Sequence, residues 1–470
     1  MGFATEQTLQ QTDVSEASVE RHVLTTDAAI EPAMTTDTLE KLYVCPGEQH
    51  PISRSVHLSR LAAFYPGCRD CPFRSDTGQL PKQTVERLQS TERRVERKSL
   101  FTTEGVRGVY LNELTRKKVD AMAASLAGLL WEDAPLVGRL DGSKRRNRRT
   151  GPTVAVGHDE RPSSPDIVTG VVAGLRRMGC QVIDISMTTK PCFSFTVDHV
   201  QAAAGIYVTG GGCEPSWTGL DFVGRDAMPF SRGTNLERLE DRLQHPLSRA
   251  TRHAGQHRTF QAFIPYEAGL WKHFHALRPL KVAYACSTRL VRRTLQRIFE
   301  MLPCRLISSE IPNRGRNLLD PNDADVKRVA AAVIHQNADL GLLIDDDGGR
   351  CSFFDEQGTL VPSCRVSRLI AELVLADQPG GTVLVETPAV NKLRPAIEEA
   401  AGKCVDGGTT LAEMFQSMRR HQAVFGGGDS GRFWVHENIP SCDAVLTLSK
   451  VLKLLSRSDT PFSQVVKTAS

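Results

Sequence analysis

The stretch Thr153–Ile185, TVAVGHDERPSSPDIVTGVVAGLRRMGCQVIDI, decides the fold class. It opens on a short apolar, β-branched run, Val154–Asp159, of the length and composition of a buried strand. An amphipathic helical pattern follows from Ser164 to Met178 and stops at Gly179, a residue that ends helices without steric cost. A second β-branched run, Cys180–Ile185, completes a strand–helix–strand unit, and Ala203–Gly211 adds a further strand. This rhythm predicts parallel sheets built from right-handed crossovers.

The same rhythm returns twice. Leu280–Asp347 contains the strand KVAYAC, a helix over Thr288–Met301, the strand CRLISS, a helix over Asp323–Gln336 and the strand DLGLLID. A third cycle holds a helix over Ser367–Leu375, the strand TVLVET and a helix over Leu393–Ala400. At 470 residues the chain exceeds the roughly 250–300 that one core supports, so several units are required. The expected fold class is α/β, with tandem three-layer α/β/α domains at 99–258, 259–360 and 361–470 and joints near Gln261 and Leu360. Residues 1–40, rich in Thr, Ser, Glu and Gln, read as a disordered tail. Residues 41–98 form a Cys/His-containing module followed by a charged linking helix from Thr84 to Lys98.

Composition excludes several classes. The net charge of +4 is too small for a nucleic-acid binder, and Lys144, Arg145, Arg146, Arg148 and Arg149 alone exceed it, which reads as a solvated loop. No stretch approaches the roughly 18 apolar residues of a membrane span, and no signal-peptide core opens the chain, so a cytoplasmic location is expected. Most of the twelve cysteines sit in apolar segments, for example Cys180, Cys286, Cys304 and Cys404, as buried thiols of a reducing compartment do. Cys45, His50, Cys68 and Cys71 are spaced as a tetrahedral zinc site would be, with His57 as another candidate for the histidine. Reduced surface thiols are the alternative reading.

Five motifs occur in one order: FTTEGVRG (Phe101–Gly108), VGHDERPSS (Val156–Ser164), VTGGGCEPSWTGLDF (Val208–Phe222), IDDDGGR (Ile344–Arg350) and FGGGDSGR (Phe425–Arg432). They resemble, respectively, the FGTDGIRG, VGxDxRxSS, ITASHNPxxxNGxKF, DGDADR and FGGExSGH segments of the α-D-phosphohexomutase superfamily, the phosphoglucomutases and phosphomannomutases. The resemblance runs from about Phe101 to Val466. It implies three α/β units, magnesium as cofactor, a phosphosugar substrate and phosphoryl transfer through one serine. It also implies a fourth domain with an RxSGTEP loop. The chain ends at Ser470, where that domain would start, so domain IV is expected to be absent.

The resemblance breaks at the chemistry. A phosphoryl carrier needs an oxygen nucleophile, and the serine position is Gly211. Gly212 and Cys213 replace the motif's His and Asn, and Asp221 replaces its Lys, so acid–base support and positive charge are expected to be lost. Cys213 and Ser216 lie two and five positions away, at about 3.3 Å per step of extended chain, and do not simply stand in. Asp345 and Asp347 match two of the three metal ligands, Gly349 replaces the third, and Asp346 adds a carboxylate. Weak magnesium binding or a solvated acidic turn are the two readings. In the last motif Gly428 replaces the sugar-contacting Glu and Arg432 the His, leaving Asp429, Ser430, Gly431 and Arg432 as candidates to hold a polar ligand. Arg107 and Arg161 match arginines near the phosphoserine and keep the guanidinium fork for an anion, although Arg161 equally suits a structural ion pair.

The expected function is a non-catalytic family member that binds a phosphosugar or a protein partner. Its rivals are an active mutase using a displaced nucleophile or a partner chain, and a zinc-module adaptor on an α/β scaffold.

Overall fold

Each β-branched run singled out above forms a strand, and the strands assemble into sheets of six, five and five members. These features belong to a computed structural model that describes residues 42–45, 49–63, 65–68, 71–92, 99–133, 151–245, 251 and 253–468. The expected tail, the basic cluster 144–149 and the end of the expected linking helix lie outside the described residues. The rest of that helix forms as Lys82–Glu92.

In the first sheet the spatial order is Val106–Val109, Trp217–Val223, Ala204–Val208, Thr153–His158, Gln181–Met187, His257–Thr259. Alternate residues of one strand enter different layers, as the two-residue period of a pleated strand requires. Val154 and Val156 pack with Val119, Met122, Ile167 and Val171 of the helices Arg116–Asp133 and Ser164–Arg177. Ala155 joins Phe193 and Val197 of the helix Lys190–His199 on the opposite face. The second unit repeats the pattern: Ala283 and Ala285 face Val326, Val329 and Val333, whereas Val282 and Tyr284 face Val291 and Leu295. These are the three-layer α/β/α units that the periodicity implied.

The sheets are not parallel throughout, which corrects the expectation. Trp217–Val223 runs antiparallel to Ala204–Val208, Cys351–Phe354 to Leu340–Ile344, and Trp434–His436 to Phe425–Gly427. The connections 209–216, 345–350 and 428–433 explain this. Each is shorter than the dozen or so residues a parallel crossover needs, so the chain can only turn back. Three of the five motifs are these reversals, and the fold therefore delivers them to the C-terminal ends of buried parallel strands, where open α/β sheets bind ligands.

The helix Arg116–Asp133 had no counterpart in the sequence reading. Its residues Met122–Leu129 are all buried, so no polar face marks a period. It lies close against its neighbour: a Cβ on Gly174 would stand 2.3 Å from the Asp120 carbonyl oxygen. Among the described residues no helix is long and apolar enough to cross a membrane.

One continuous buried cluster joins the units, from Phe193 and Tyr207 through Tyr266, Tyr284 and Phe353 to Phe425 and Val445. A buried polar contact reinforces it. Tyr266 donates its hydroxyl to Asp443 Oδ2 at 2.6 Å, while Asp443 Oδ1 caps the helix Ala444–Leu455 by accepting from the Val445 and Leu446 amides at 2.8 and 3.1 Å. Asp443→Ala is expected to destabilise the protein by about 2–4 kcal/mol, combining a lost N-cap with a stranded hydroxyl. The check is the midpoint of chemical denaturation, and Asp443→Asn, which keeps an acceptor oxygen, should lose less.

Candidate functional site

Two of the reversals, 345–350 and 428–433, contribute to a cleft lined by Lys190, Asp347, Gly349, Arg350, Arg432 and Cys442, among others, and the third reversal and the segment Phe101–Gly108 adjoin it where Gly211 nears Asp347 and Glu104 pairs with Arg432. Each loop has a separate local cause and a separate electrostatic state.

The 209–216 reversal is clamped from below. Arg161, 3% exposed, donates to the carbonyls of Glu214 (2.7 Å) and Cys213 (2.9 Å) and to Asn313 Oδ1 (3.2 Å), and its Nε stands 3.4 Å from Asp159 Oδ2. Asp159 Oδ2 in turn accepts from the Gly210 amide at 3.1 Å. The fork is spent on the loop, so Arg161 is the structural partner and not a free anion site. At Gly211 a Cβ would lie 3.1 Å from Thr209 Oγ1, 3.5 Å from Asp347 Cβ and 3.9 Å from Asp347 Oδ2. A side chain there would contact the acidic loop and press on Thr209, and glycine supplies no nucleophile.

Asp221 is the electrostatic centre. Arg107 Nη1 lies 2.6 Å from its Oδ1 and Lys190 Nζ 2.8 Å from its Oδ2. Burial alone would raise the Asp221 pKa, but Arg107 first and Lys190 next outweigh it and hold the carboxylate low. Two expectations change as a result. Arg107 also donates to its neighbour's carbonyl, Val106 O, at 2.9 Å and is internally committed. The positive charge taken from position 221 is also not lost, because Lys190, the first residue of its helix after the Thr189 cap, returns it from another element. Lys190 Nζ is 3.8 Å from Asp347 Oδ2 as well.

In the acidic loop Asp345 and Asp347 stay within hydrogen-bond reach of each other, and Asp346 diverges. Asp346 turns away from the cleft and accepts from Ser287 Oγ at 2.5 Å and Arg316 Nη1 at 2.6 Å, with Arg316 Nε bonded to Asp325 Oδ2 at 3.1 Å. Asp345 receives both the Arg350 amide and its Nε, each at 3.1 Å. Burial and the adjacent Asp347 carboxylate push Asp345 up to about 8. Asp347 accepts from the Gly349 amide at 2.8 Å, and Lys190 outweighs the effect of burial to hold its carboxylate low. Among the described residues no group of three or more His, Cys, Asp or Glu side chains is placed to hold a metal ion. Both oxygens of Asp345 are engaged by Arg350, and those of Asp347 by the Gly349 amide and Lys190, so as placed they present no free lone pairs to the magnesium expected there.

The 428–433 reversal shows a different loss. A Cβ on Gly428 would fall 2.4 Å from Glu386 Oε2 and 2.7 Å from Glu386 Cβ. Glu386, at the end of the strand Thr382–Glu386, fills that volume, accepting from the Ser430 amide at 3.0 Å and from the Ser430 hydroxyl. Gly431 takes a left-handed φ of +75° that suits glycine. Asp429 is drawn to Lys392 at 2.7 Å. Of the four candidate sugar contacts only Arg432 lines the cleft, with Nη2 3.3 Å from Glu104 Oε2.

In the N-terminal module Cys45, Cys68 and Cys71 are buried free thiols. Burial, then the proximity of Cys45 and Cys71, raises Cys68, and Arg60 Nη1 donates to Cys45 Sγ at 3.1 Å. His50 is exposed. His57 is buried, stacked on Tyr43 with ring centroids 4.1 Å apart, and its Nε2 lies 3.1 Å from the Asp76 carbonyl. The expected zinc site therefore has no preformed ligand cage among the described residues.

Sequence reasoning missed Lys190, Glu386, Arg316 and the partnership of Arg350. Arg350 stood inside a quoted motif. Lys190, three residues past the strand Gln181–Met187, and Glu386, the last residue of the strand Thr382–Glu386, were findable only as charged residues at strand ends.

Comparison with known proteins agrees with this geometry. Residues 98–248 match the family model "Phosphoglucomutase/phosphomannomutase, alpha/beta/alpha domain I" and 366–469 the corresponding domain III. The chain is 27% identical over 325 residues to a phosphohexose mutase of Xanthomonas campestris, covering 67% of this chain and 72% of that protein. It is 25% identical over 366 residues to a Pseudomonas aeruginosa phosphomannomutase/phosphoglucomutase, covering 76% and 74%. A crystal structure of a Burkholderia thailandensis phosphoglucomutase/phosphomannomutase family protein superposes with a TM-score of 0.70 at 21% identity, covering 80% of each chain.

The occupied volume at Gly428 makes a prediction. Gly428→Ala forces Glu386 aside and should destabilise by about 1–3 kcal/mol, the usual range for overpacking. In a Glu386→Gly background, which also removes the Cβ that the new methyl meets, the same change should cost under about 1 kcal/mol, a coupling that a double-mutant cycle of thermal or denaturant unfolding would read out.

Proposed function

The chain belongs to the α-D-phosphohexomutase superfamily, and we propose that this member binds a phosphorylated hexose in its cleft without transferring the phosphoryl group. The observation that carries the reading is Gly211. Transfer through the enzyme requires an oxygen that attacks phosphorus and later returns the group to the other sugar hydroxyl, and Gly211, beside Asp347, carries no side chain to supply it. Loss of that atom separates this chain from the activity its relatives are named for.

Binding is supported by the charge that remains at the cleft wall. Lys190, Arg350 and Arg432 line it, while Asp347 is the acid among the lining residues. Two guanidinium forks and an ammonium suit a phosphate monoester, whose geometry favours bidentate contacts. Relatives that are named mutases favour a hexose phosphate over other anions. All twelve cysteines are free thiols, which supports a reducing compartment such as the cytoplasm.

A coupled assay of glucose 1-phosphate and mannose 1-phosphate interconversion, run with a hexose bisphosphate activator, is expected to show no turnover. Intact mass spectrometry after the same incubation should show no phosphoryl adduct. Hexose phosphates should raise the melting temperature, as a ligand at about 100 times its Kd adds about 2.7 kcal/mol. Arg432→Ala should weaken that binding about tenfold or more, since a hydrogen bond to a charged group contributes about 1.5–3 kcal/mol. Turnover by the unaltered chain would overturn the proposal.

A further inference from the structure

We propose that Lys190, backed by Arg350, is a built-in countercation that takes the place of a divalent metal ion, so that this cleft excludes magnesium-type cations. Magnesium demands a near-octahedral shell of oxygens at about 2.0–2.1 Å. Carboxylates recruited to it must have lone pairs free and must converge. Asp345 and Asp347 do approach each other, but the first condition fails, atom by atom.

Asp347 Oδ1 accepts from the Gly349 amide at 2.8 Å, and its Oδ2 faces the Lys190 ammonium at 3.8 Å. Asp345 gives one oxygen to the Arg350 amide and the other to Arg350 Nε. Asp346 is turned into Ser287 and Arg316. Gly349, the third ligand position by resemblance, has no side chain. Asp221 binds Arg107 with one oxygen and Lys190 with the other. The four acids of the site thus meet four internal cations, Arg107, Lys190, Arg316 and Arg350.

A dication entering beside Asp347 must displace Lys190. The ammonium cannot leave without stripping buried Asp221 of one of its two partners, and a buried carboxylate short of its counterions is strongly disfavoured. If it stays, ammonium and metal repel across a few ångströms in a low-dielectric cleft. Lys190 is thereby a positioning residue for the acidic loop, holding Asp347 as a metal would, but with one fixed charge. This holds whether or not the cleft takes a hexose phosphate.

The test uses the full-length protein and Mn2+ as probe, followed by the electron paramagnetic resonance signal of the free ion. The unaltered chain is expected to leave the free-ion signal undiminished at millimolar Mn2+, with no change in melting temperature on adding EDTA. Lys190→Met combined with Asp221→Asn removes one cation and one anion together and keeps the charge balanced. This variant should gain saturable Mn2+ binding about tenfold or more tighter than the parent, and a further Asp347→Asn should abolish it. Lys190→Arg, which keeps the charge, should gain nothing. Should the double variant fail to fold by circular dichroism, Lys190→Gln alone carries the same expectation. Stoichiometric Mn2+ binding by the unaltered chain that Asp347→Asn removes, or a folded variant without the charge at position 190 (Lys190→Met with Asp221→Asn, or Lys190→Gln) that gains none, would overturn the inference.

Discussion

The fate of Asp221 governs the cleft. A carboxylate taken out of water at that depth is tolerable only with compensating charge, and it finds two partners, Arg107 from the edge strand and Lys190 from the start of the next helix. The demand fixes both cations. Arg107 is thereby withdrawn from ligand binding, and Lys190 is held at the wall of the cleft, within 3.8 Å of Asp347. One substitution of acid for base at position 221 thus propagates to the acidic loop opposite, because the ammonium that answers it stands between the two.

The departures from the family pattern are of physically different kinds. At Gly211 the side chain is gone, and a Cβ there would touch Asp347 and press on the Thr209 hydroxyl at 3.1 Å. At Gly428 the space is filled by Glu386, whose carboxylate locks Ser430 and shapes the turn. The loop keeps a buried acid near its old place, yet that acid serves the backbone. At Gly349 a Cβ would stand 3.1 Å from Asp347 Oδ1, and the amide has become the donor that holds Asp347. Bare, occupied and internally bonded positions respond differently to repair, although all three read as glycine.

How much was legible follows from which interactions are local. The runs KVAYAC and DLGLLID formed strands near the expected residues because β-branched and apolar runs bounded by turns specify buried strands by themselves. The antiparallel returns were missed because no strand pattern marks them; what marks them is the shortness of the loops at 209–216, 345–350 and 428–433. The helix Arg116–Asp133 was missed because burial on nearly every side erases the period. At the site, the motifs located the loops but not the directions of their side chains. Arg161 matched an arginine near the phosphoserine and spends its fork on carbonyls, and Asp346, the added carboxylate of the acidic loop, faces Arg316. Lys190 and Glu386 come from outside the motifs, and only tertiary placement brings them to their partners.

This arrangement is suited to holding an anion more than to reacting with one. Catalysis requires interactions that strengthen as charge moves in the transition state, and a metal ion bridging the migrating group supplies such charge. Lys190, Arg350 and Arg432 are instead tied to Asp221 and Asp347, to Asp345, and to Glu104. Their geometry is set before any ligand arrives, and each can share only what its internal partner leaves. Under the proposed function the glycine at 211 and the cleft's charge pattern act for independent reasons: the first removes the atom that would react, and the second stands in the place of the ion that would assist it.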